Sequence, residues 1–339
     1  MSGRISRGGS GFARQVQRCV FAMALLVPGV SLAEQIDVAN YGVSFNASPF
    51  AVALAKGFFQ QAGADITAVV SSPGGGTDVR MLLGGQLPYA ESSLAGVMAA
   101  IKKGADLKII AENADTAGEV NWVAMPGTSI KTLADLRGKR IGYTNPQSAS
   151  QTFELLLLEK GGMTANDVKM IATGGYGPAL TALEHDGIDV SPISEPSYTI
   201  NQSKYITVFR GAEEFGSLCD GVAVTSGKMA RERPEMIRAI IKARRMAVDF
   251  MYSNPEESAQ IIAKAYNMDP KLTETILKHI VEHASVGKVQ YFGRGEFDWP
   301  GMNAMAHGLK LAGLIDDDHV DWSKYVDESF LPDDLKTPK

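Results

Sequence analysis

From Gln35 onward, short apolar runs alternate with segments whose apolar residues recur every three to four positions. The runs predict buried strands and the periodic segments predict amphipathic helices. Their alternation predicts an α/β fold of mostly parallel sheets flanked by helices. The predicted elements of the first block are, in chain order, strand 36–40, helix 48–63, strand 66–70, helix 77–83, strand 88–91, helix 92–103 and strand 107–112.

A second α/β block follows Trp122, and after Lys228 the pattern predicts helices alone. The predicted elements of the second block are a short helix at 132–138, strand 139–143, a long helix within 143–162, strand 168–172, helix 176–185, and strands 188–192, 205–209 and 219–225. Leucines 155–158 are expected to anchor the long helix.

The chain is longer than the range in which a single core keeps growing, so we expect two lobes. Lobe I is predicted to comprise 34–122 and 221–339, and lobe II to comprise 123–220. The chain would then cross between the lobes twice, which makes a hinge. The groove between the lobes is the expected binding site.

Residues 1–33 are typical of an export signal, because arginines precede a short apolar run that ends in Ser31-Leu32-Ala33. The run is too short to span a bilayer. We expect cleavage near Ala33 and an exported protein, for which the family resemblance described below implies a periplasmic location. An amphipathic targeting peptide or a tail is the alternative.

Removing 1–33 takes away four arginines and no acidic residue, which leaves 29 of the 33 basic residues against 38 acidic ones. A net charge near −9 argues against nucleic acid as a partner. It also leaves Cys219 alone, so no intramolecular disulfide is expected. No low-complexity tract or later membrane span is predicted.

Three fragments resemble catalytic motifs, but none has the context that its chemistry requires. The segment 279–283 spells H-x-x-E-H, a zinc peptidase pattern, yet His283 falls within the apolar stripe of its predicted helix. The segment 285–288 spells S-x-x-K without its usual companion motifs. The glycine loop 74–76 has neither P-loop nor dinucleotide spacing. We therefore expect no enzyme activity, no metal and no cofactor.

Hydroxyl, amide and glycine residues instead gather where predicted strands end and helices begin, which is where open α/β sheets place their ligands. In the turn before the long helix, uncharged donors exceed what a single N-cap needs. The candidate ligand-binding residues are Ser44, Asn46, Gly75, Gly76, Thr77, Ser92, Ser93, Asn145, Ser148, Ser150, Gly175, Tyr176 and Glu195. Plain turns and caps are the alternative for each.

The segments AKGFFQQAGADI, SSPGGGTDV, SIKTLADLRGKRIGY and LEHDGIDVSPISEPSY resemble the periplasmic substrate-binding proteins of ABC importers. The branch in question includes sulfonate, taurine, nitrate and thiamine-pyrimidine-precursor binding proteins. The resemblance implies the two-lobed type II fold, hinge closure on a small polar or anionic organic solute, and delivery to an inner-membrane permease by a monomer. The alternatives are an enzyme of the same fold acting on a pyrimidine, or a ligand-sensing lobe of a signalling system.

Overall fold

The computed structural model describes residues 34–74, 76–85 and 87–338. The predicted export signal, 1–33, lies outside the described residues. The strands are β1 Glu34–Ala39, β2 Ile66–Ser72, β3 Ala90–Ser93, β4 Leu107–Ala114, β5 Asn121–Ala124, β6 Arg140–Tyr143, β7 Lys169–Ala172, β8 Ser191–Ile193, β9 Ile206–Arg210, β10 Gly221–Ser226 and β11 Phe292–Gly295.

Helices pack around these strands. The α-helices are α1 Ser48–Ala55, α2 Phe58–Ala62, α3 Thr77–Leu83, α4 Leu94–Lys102, α5 Ala149–Lys160, α6 Tyr176–Glu184, α7 Ser197–Asn201, α8 Gly211–Glu214, α9 Gly227–Glu232, α10 Pro234–Ser253, α11 Pro255–Tyr266, α12 Pro270–His279 and α13 Trp299–Leu311. A π-helical turn, Ile280–Ala284, extends α12. Short 3-10 helices are Phe45–Ala47, Leu133–Leu136, Ala165–Asp167, Trp322–Lys324, Glu328–Phe330 and Asp333–Leu335.

The largest sheet has six strands among the described residues, in the order β11-β4-β10-β3-β1-β2. Strands β2 and β3 pair parallel with β1, whereas β10 runs antiparallel to both β3 and β4, and β11 runs antiparallel to β4. The α/β class is confirmed, but the expectation of a mostly parallel sheet is wrong. The reason is that β10 and β11 enter the sheet from its opposite end after long excursions of the chain.

The smaller sheets take their strands from 121–210. Strand β5 pairs antiparallel with β8 and β9, while β6 and β7 form a parallel pair joined to residue 190 by the Ile141–Val190 bridge. The large sheet takes its strands from 34–114, 221–226 and 292–295. The predicted lobe boundaries near 122 and 221 stay a prediction.

Two features of the secondary structure differ from the sequence expectation. The predicted helix 48–63 is divided into α1 and α2 at Gly57, whose φ of 65° breaks the helical path. Strands β5 and β11 were not predicted, because β5 has four residues and Gly293 and Gly295 interrupt the apolar pattern of β11.

Helix α5 is held in place by its apolar side. Leu157 and Leu158 are buried, whereas Leu155 and Leu156 are half-buried. Within the helix, Glu154 is fully buried and its Oε1 accepts a hydrogen bond of 2.5 Å from Trp122 Nε1. Burial raises the pKa of Glu154 well above its ordinary value, which favours the neutral acid there. Packing therefore fixes the start of α5 relative to β5.

His307 on α13 joins this helix to α5. Its Nε2 lies 2.7 Å from Glu159 and its Nδ1 lies 2.7 Å from Asp318. Because both ring nitrogens face carboxylate acceptors, the imidazolium form satisfies both contacts, and the hydrogen bonds to Asp318 and Glu159 raise the pKa of His307. The stabilisation is complete below the unfolded imidazole value of about 6.5 and is lost as pH rises through the higher folded-state value.

We therefore expect His307→Gln to lower the free energy of unfolding more at pH 6 than at pH 9. Urea unfolding at the two pH values measures the difference. The exposed His185 provides the control, and His185→Gln should have the same small effect at both. An effect of His307→Gln that does not change with pH would contradict the assignment.

The residues that the structure describes include no helix that is both long enough and apolar enough to cross a membrane.

Candidate functional site

A cavity of about 480 Å³ opens where the large sheet faces the helices and loops of 144–197. The carboxyl ends of β1, β2, β3, β6 and β8 lead into its walls, as does the amino end of β10. The residues that line it are Ala39, Asn40, Val43, Ser44, Asn46, Pro73, Gly74, Glu91, Ser92, Ser93, Glu119, Thr144, Asn145, Ser148, Ala149, Ser150, Gly174, Gly175, Tyr176, Gly177, Pro178, Ser194, Glu195, Pro196, Ser197, Asp220 and Gly221.

One wall follows β1. Asn40 adopts a left-handed conformation with φ 57°, which turns the chain into the 3-10 helix that carries Asn46. The side-chain oxygen of Asn46 is buried and accepts no hydrogen bond from the described residues. A buried acceptor without a donor is costly, so a donor on a bound solute would stabilise this wall.

The wall opposite contains three hydroxyl groups in mutual contact, which we call the hydroxyl cluster: Thr144, Ser148 and Ser150. Thr144 Oγ1 lies 3.1 Å from Ser148 Oγ and 2.8 Å from Ser150 Oγ, and the two serine oxygens are 3.0 Å apart. Ser148 is the N-cap of α5 and accepts from the Gln151 amide at 3.3 Å. Ser150 accepts from the Thr144 amide at 2.9 Å, which ties the helix start to the end of β6.

Two further helices begin at the cavity. Ser93 caps α4 by accepting from the Gly96 amide at 3.2 Å. Helix α6 starts after Gly175 without a side-chain cap, so its first amides are free to meet a ligand. With α5, these starts give one side of the cavity a partial positive charge that suits an acceptor or an anionic group.

Carboxylates occupy other parts of the lining. Glu91 lies 3.3 Å from Arg244 and accepts 2.7 Å from Asn113, and all three side chains are buried. Glu195 caps its own helix by accepting from the amide and hydroxyl of Thr199 at 3.1 and 2.9 Å.

Glu195 Oε1 also lies 2.9 Å from His279 Nδ1. His279 is the first residue of the H-x-x-E-H segment, and its ring centroid is 5.1 Å from that of His283. The pair of rings therefore contacts the cavity wall through Glu195.

Within the described residues, the group of acids and histidines that could share a metal ion is the surface trio Asp317, Asp318 and His319, away from the cavity lining.

A family model described as NMT1/THI5 like matches residues 44–258. That span covers most of the cavity lining, from Ser44 through Gly221.

The chain belongs to the NMT1/THI5-like family.

Similar proteins agree with this assignment. A Brucella abortus protein named as a binding protein is 27% identical over 280 residues, which cover 78% of this chain and 83% of that one. The periplasmic aliphatic sulphonate binding protein SsuA from Escherichia coli superposes with a TM-score of 0.70 at 16% identity, covering 86% and 91% of the two chains. The periplasmic nitrate-binding protein NrtA from Synechocystis gives 0.68 at 15% identity, covering 88% and 86%.

The family resemblance inferred from the sequence motifs is thus confirmed, and the NMT1/THI5-like chain has the periplasmic binding protein fold. The structure brings most of the predicted site residues to the one cavity; their role in binding stays a prediction. Those that line the cavity are Ser44, Asn46, Ser92, Ser93, Asn145, Ser148, Ser150, Gly175, Tyr176 and Glu195.

The glycine loop after β2 is only partly in the lining. Gly75 lies outside the described residues. Gly76 and Thr77 do not line the cavity, because the left-handed Gly76 turns the chain into α3 and the Thr77 hydroxyl accepts a hydrogen bond of 2.6 Å from Arg80. Gly74 and Pro73 are the lining residues of this loop.

The sequence reasoning missed Asn40, Thr144, Glu119 and Asp220. Thr144 immediately follows one predicted strand and Asn40 is the last residue of another, so the strand-end rule could have found them. Asp220 precedes β10, and it reaches the same edge only because β10 is antiparallel to its neighbours. Glu119 lies in the connection between β4 and β5, for which the sequence has no strand-end signal.

Proposed function

We propose that this protein is the substrate-binding component of an ABC importer, which captures a small polar organic solute in the cavity and delivers it to an inner-membrane permease. The family, the fold and the binding-protein names of the relatives support this proposal. The proposal includes a periplasmic location, a monomeric state and closure of the predicted lobes around the solute.

The observation that carries the proposal is the convergence of helix starts, hydroxyls and amides on one cavity. Such groups hold a solute by many individually weak hydrogen bonds and release it unchanged. In the hydroxyl cluster the partners of each oxygen are other hydroxyls and main-chain amides of the described residues. No histidine or lysine of those residues contacts the cluster to act as a base, as nucleophilic catalysis would require.

Cys219 also favours binding over covalent chemistry. Its side chain is buried and does not line the cavity. Burial, together with the charges of Glu112 and Asp115, raises the pKa of the Cys219 thiol well above its ordinary value. The reactive thiolate is therefore scarce.

The relatives name two ligand classes, aliphatic sulphonates and nitrate. A sulfonate, carboxylate or similar acceptor group on the solute fits the starts of α5 and α6, where main-chain amides lie beside the hydroxyl cluster. We place the acceptor end of the solute there.

Ser148→Ala is expected to weaken binding of the co-purified or identified solute about tenfold, the effect of losing one good hydrogen bond. Equilibrium dialysis against a solute extract, with mass spectrometry of the bound fraction, identifies the solute. The melting temperature with and without it then gives the affinity of each variant, because a ligand that binds the native state stabilises it.

Ser226 provides a matched control. Like Ser148 it is an N-cap with 9% exposure, and it accepts from the amide three residues ahead at 3.2 Å, but it lies at α9 outside the cavity lining. Both Ser→Ala changes should cost about 1 kcal/mol of stability. Only Ser148→Ala should weaken binding, and equal affinities of the two variants would argue against the proposed site.

A further inference from the structure

Four carboxylates line the cavity, and no lysine or arginine of the described chain does. The four are Glu91, Glu119, Glu195 and Asp220. For a cavity expected to hold an acceptor group at its helix starts, this is an excess of acidic side chains elsewhere in the lining. The partners of each carboxylate show which of them are available to a ligand.

Two of the carboxylates are engaged by the protein itself. Glu91 is paired with Arg244 and Asn113, and Glu195 holds Thr199 and faces His279. The guanidinium of Arg244 also donates hydrogen bonds to two main-chain carbonyls, that of Gly293 at 2.6 Å and that of Asn113 at 2.8 Å. Within the described residues, the carboxylate that Arg244 contacts is that of Glu91.

Neither Glu119 nor Asp220 has a cationic partner among the described residues, and the neighbour that lowers the pKa of Glu119 is the neutral hydroxyl of Tyr291. Glu119 is 5% exposed, and its Oε2 is buried without a hydrogen bond from any described residue. Asp220 is half-buried, and its side chain forms no ion pair and accepts no hydrogen bond within the described part of the chain. Because an unpaired buried acceptor costs free energy, Glu119 Oε2 and the Asn46 oxygen leave the cavity short of donors. The half-buried Asp220 adds a second carboxylate whose charge acts on Glu119.

We propose that Asp220 and Glu119 form a subsite for a positively charged nitrogen, so that the captured solute carries an ammonium or amidinium group. This rests on the proposed binding function and narrows its ligand. Several N–H donors on one cationic group satisfy the two carboxylates together, and charge-assisted hydrogen bonds are the stronger kind. A simple anion such as nitrate supplies neither donors nor positive charge.

The groups around the subsite add no competing cation. Burial and the charge of Glu91 raise the pKa of Asp220 to about 7, and burial and the charge of Asp220 raise the pKa of Glu119 to about 8. The hydroxyls of Tyr176 and Tyr291, which also face the subsite, have pKa values raised chiefly by burial and stay neutral.

Two more side chains lie near the subsite. Glu195 lies close enough to raise the pKa of Glu119, and His279 faces Glu195. Arg244 is paired with Glu91 at 3.3 Å. A cationic nitrogen is therefore the missing complement.

The hydroxyl cluster also favours a solute with a cationic nitrogen over a simple anion. Its three hydroxyl hydrogens serve three mutual contacts, so a ligand that accepts from the cluster has to break one of them. An anion alone would pay that cost and meet two unpaired carboxylates as well. A solute with a cationic nitrogen offsets that cost by charge-assisted hydrogen bonds to the carboxylates.

The first test compares benzamidine, benzamide and benzoate, which share a shape and carry charges of +1, 0 and −1. Isothermal titration at pH 8 measures each affinity with the full protein. We expect benzamidine to bind about tenfold or more tighter than benzoate, and Asp220→Asn or Glu119→Gln to remove that preference. Glu213→Gln, at an exposed residue outside the cavity lining, should keep it.

The second test uses the protons that binding displaces. A cation beside Asp220 and Glu119 favours their ionised forms, so benzamidine binding near pH 7.5 should release about one proton and tighten as pH rises from 6 to 8. Titrations in two buffers of different ionisation enthalpy measure this release. Proton uptake, or affinity that falls with pH, would contradict the subsite.

The outcomes separate this inference from the proposed function. If benzoate or nitrate binds tighter than benzamidine and Ser148→Ala weakens that binding, the receptor function stands and the cation subsite is wrong. Equal affinity for all three probes would also overturn the subsite. So would the absence of benzamidine binding up to about 10 mM, roughly the weakest affinity worth detecting. If Ca²⁺ binds and Asp220→Asn removes that binding, the subsite holds a metal ion and the inference of an organic cation is wrong.

Discussion

Replacing Arg244 with Met is expected to lower the free energy of unfolding by about 3 to 5 kcal/mol. Arg244 is 2% exposed and its partner Glu91 is 3% exposed, so the ion pair is screened little by water. Methionine fills much of the space but leaves Glu91 without a positive charge and two main-chain carbonyls without a donor. Burial already raises the pKa of Glu91, and losing Arg244 would raise it further.

Urea unfolding at pH 7.5 measures the effect, and Arg238→Met provides the control on the same helix. Arg238 is 39% exposed and pairs with Glu235 three residues away, so its loss should cost within about 1 kcal/mol. The double variant Glu91→Gln, Arg244→Met should recover part of the loss, because it removes the orphaned charge. If the two arginine variants unfold alike, the buried pair does not support the fold as described.

The Glu91–Arg244 pair also illustrates what the sequence could not reveal. Glu91 ends a predicted strand and Arg244 lies on a predicted helix of the last third of the chain. Local patterns predict both elements, but nothing local predicts that their side chains meet. Such pairs depend on tertiary packing, which periodicity does not report.

The sequence likewise predicts some residues of the site and misses others. Its hydroxyl and glycine groups were predictable because turns after parallel strands share one edge of a sheet, as at Asn145, Ser148 and Gly175. That rule applies only where the strand runs toward the edge. Asp220 comes before an antiparallel strand and Glu119 comes from a connection, so the predicted site contained the donors and missed the two unpaired acceptors.

Glu119 is held in the site by the chain segment before it. Thr116 donates from its hydroxyl to the main-chain oxygen of Ala284 at 2.5 Å, and the Gly118 amide donates to that hydroxyl at 3.2 Å. This brings the connection between β4 and β5 against the π-helical turn. A Cβ added at Gly118 would overlap the main-chain carbonyl of Ala284, an obstacle that cannot rotate away as a side chain would.

We therefore expect Gly118→Ala to lower the free energy of unfolding by about 3 kcal/mol, at the upper end of the usual cost of overpacking. It should also weaken benzamidine binding more than benzoate binding, because the shift of the connection moves Glu119 away from Asp220. Gly216→Ala is the matched control, since a Cβ there meets no atom within 4 Å. Urea unfolding and titration of both variants measure the two effects. A Gly118→Ala protein as stable as Gly216→Ala would mean that the connection does not press against Ala284, and that Glu119 owes its position to other contacts.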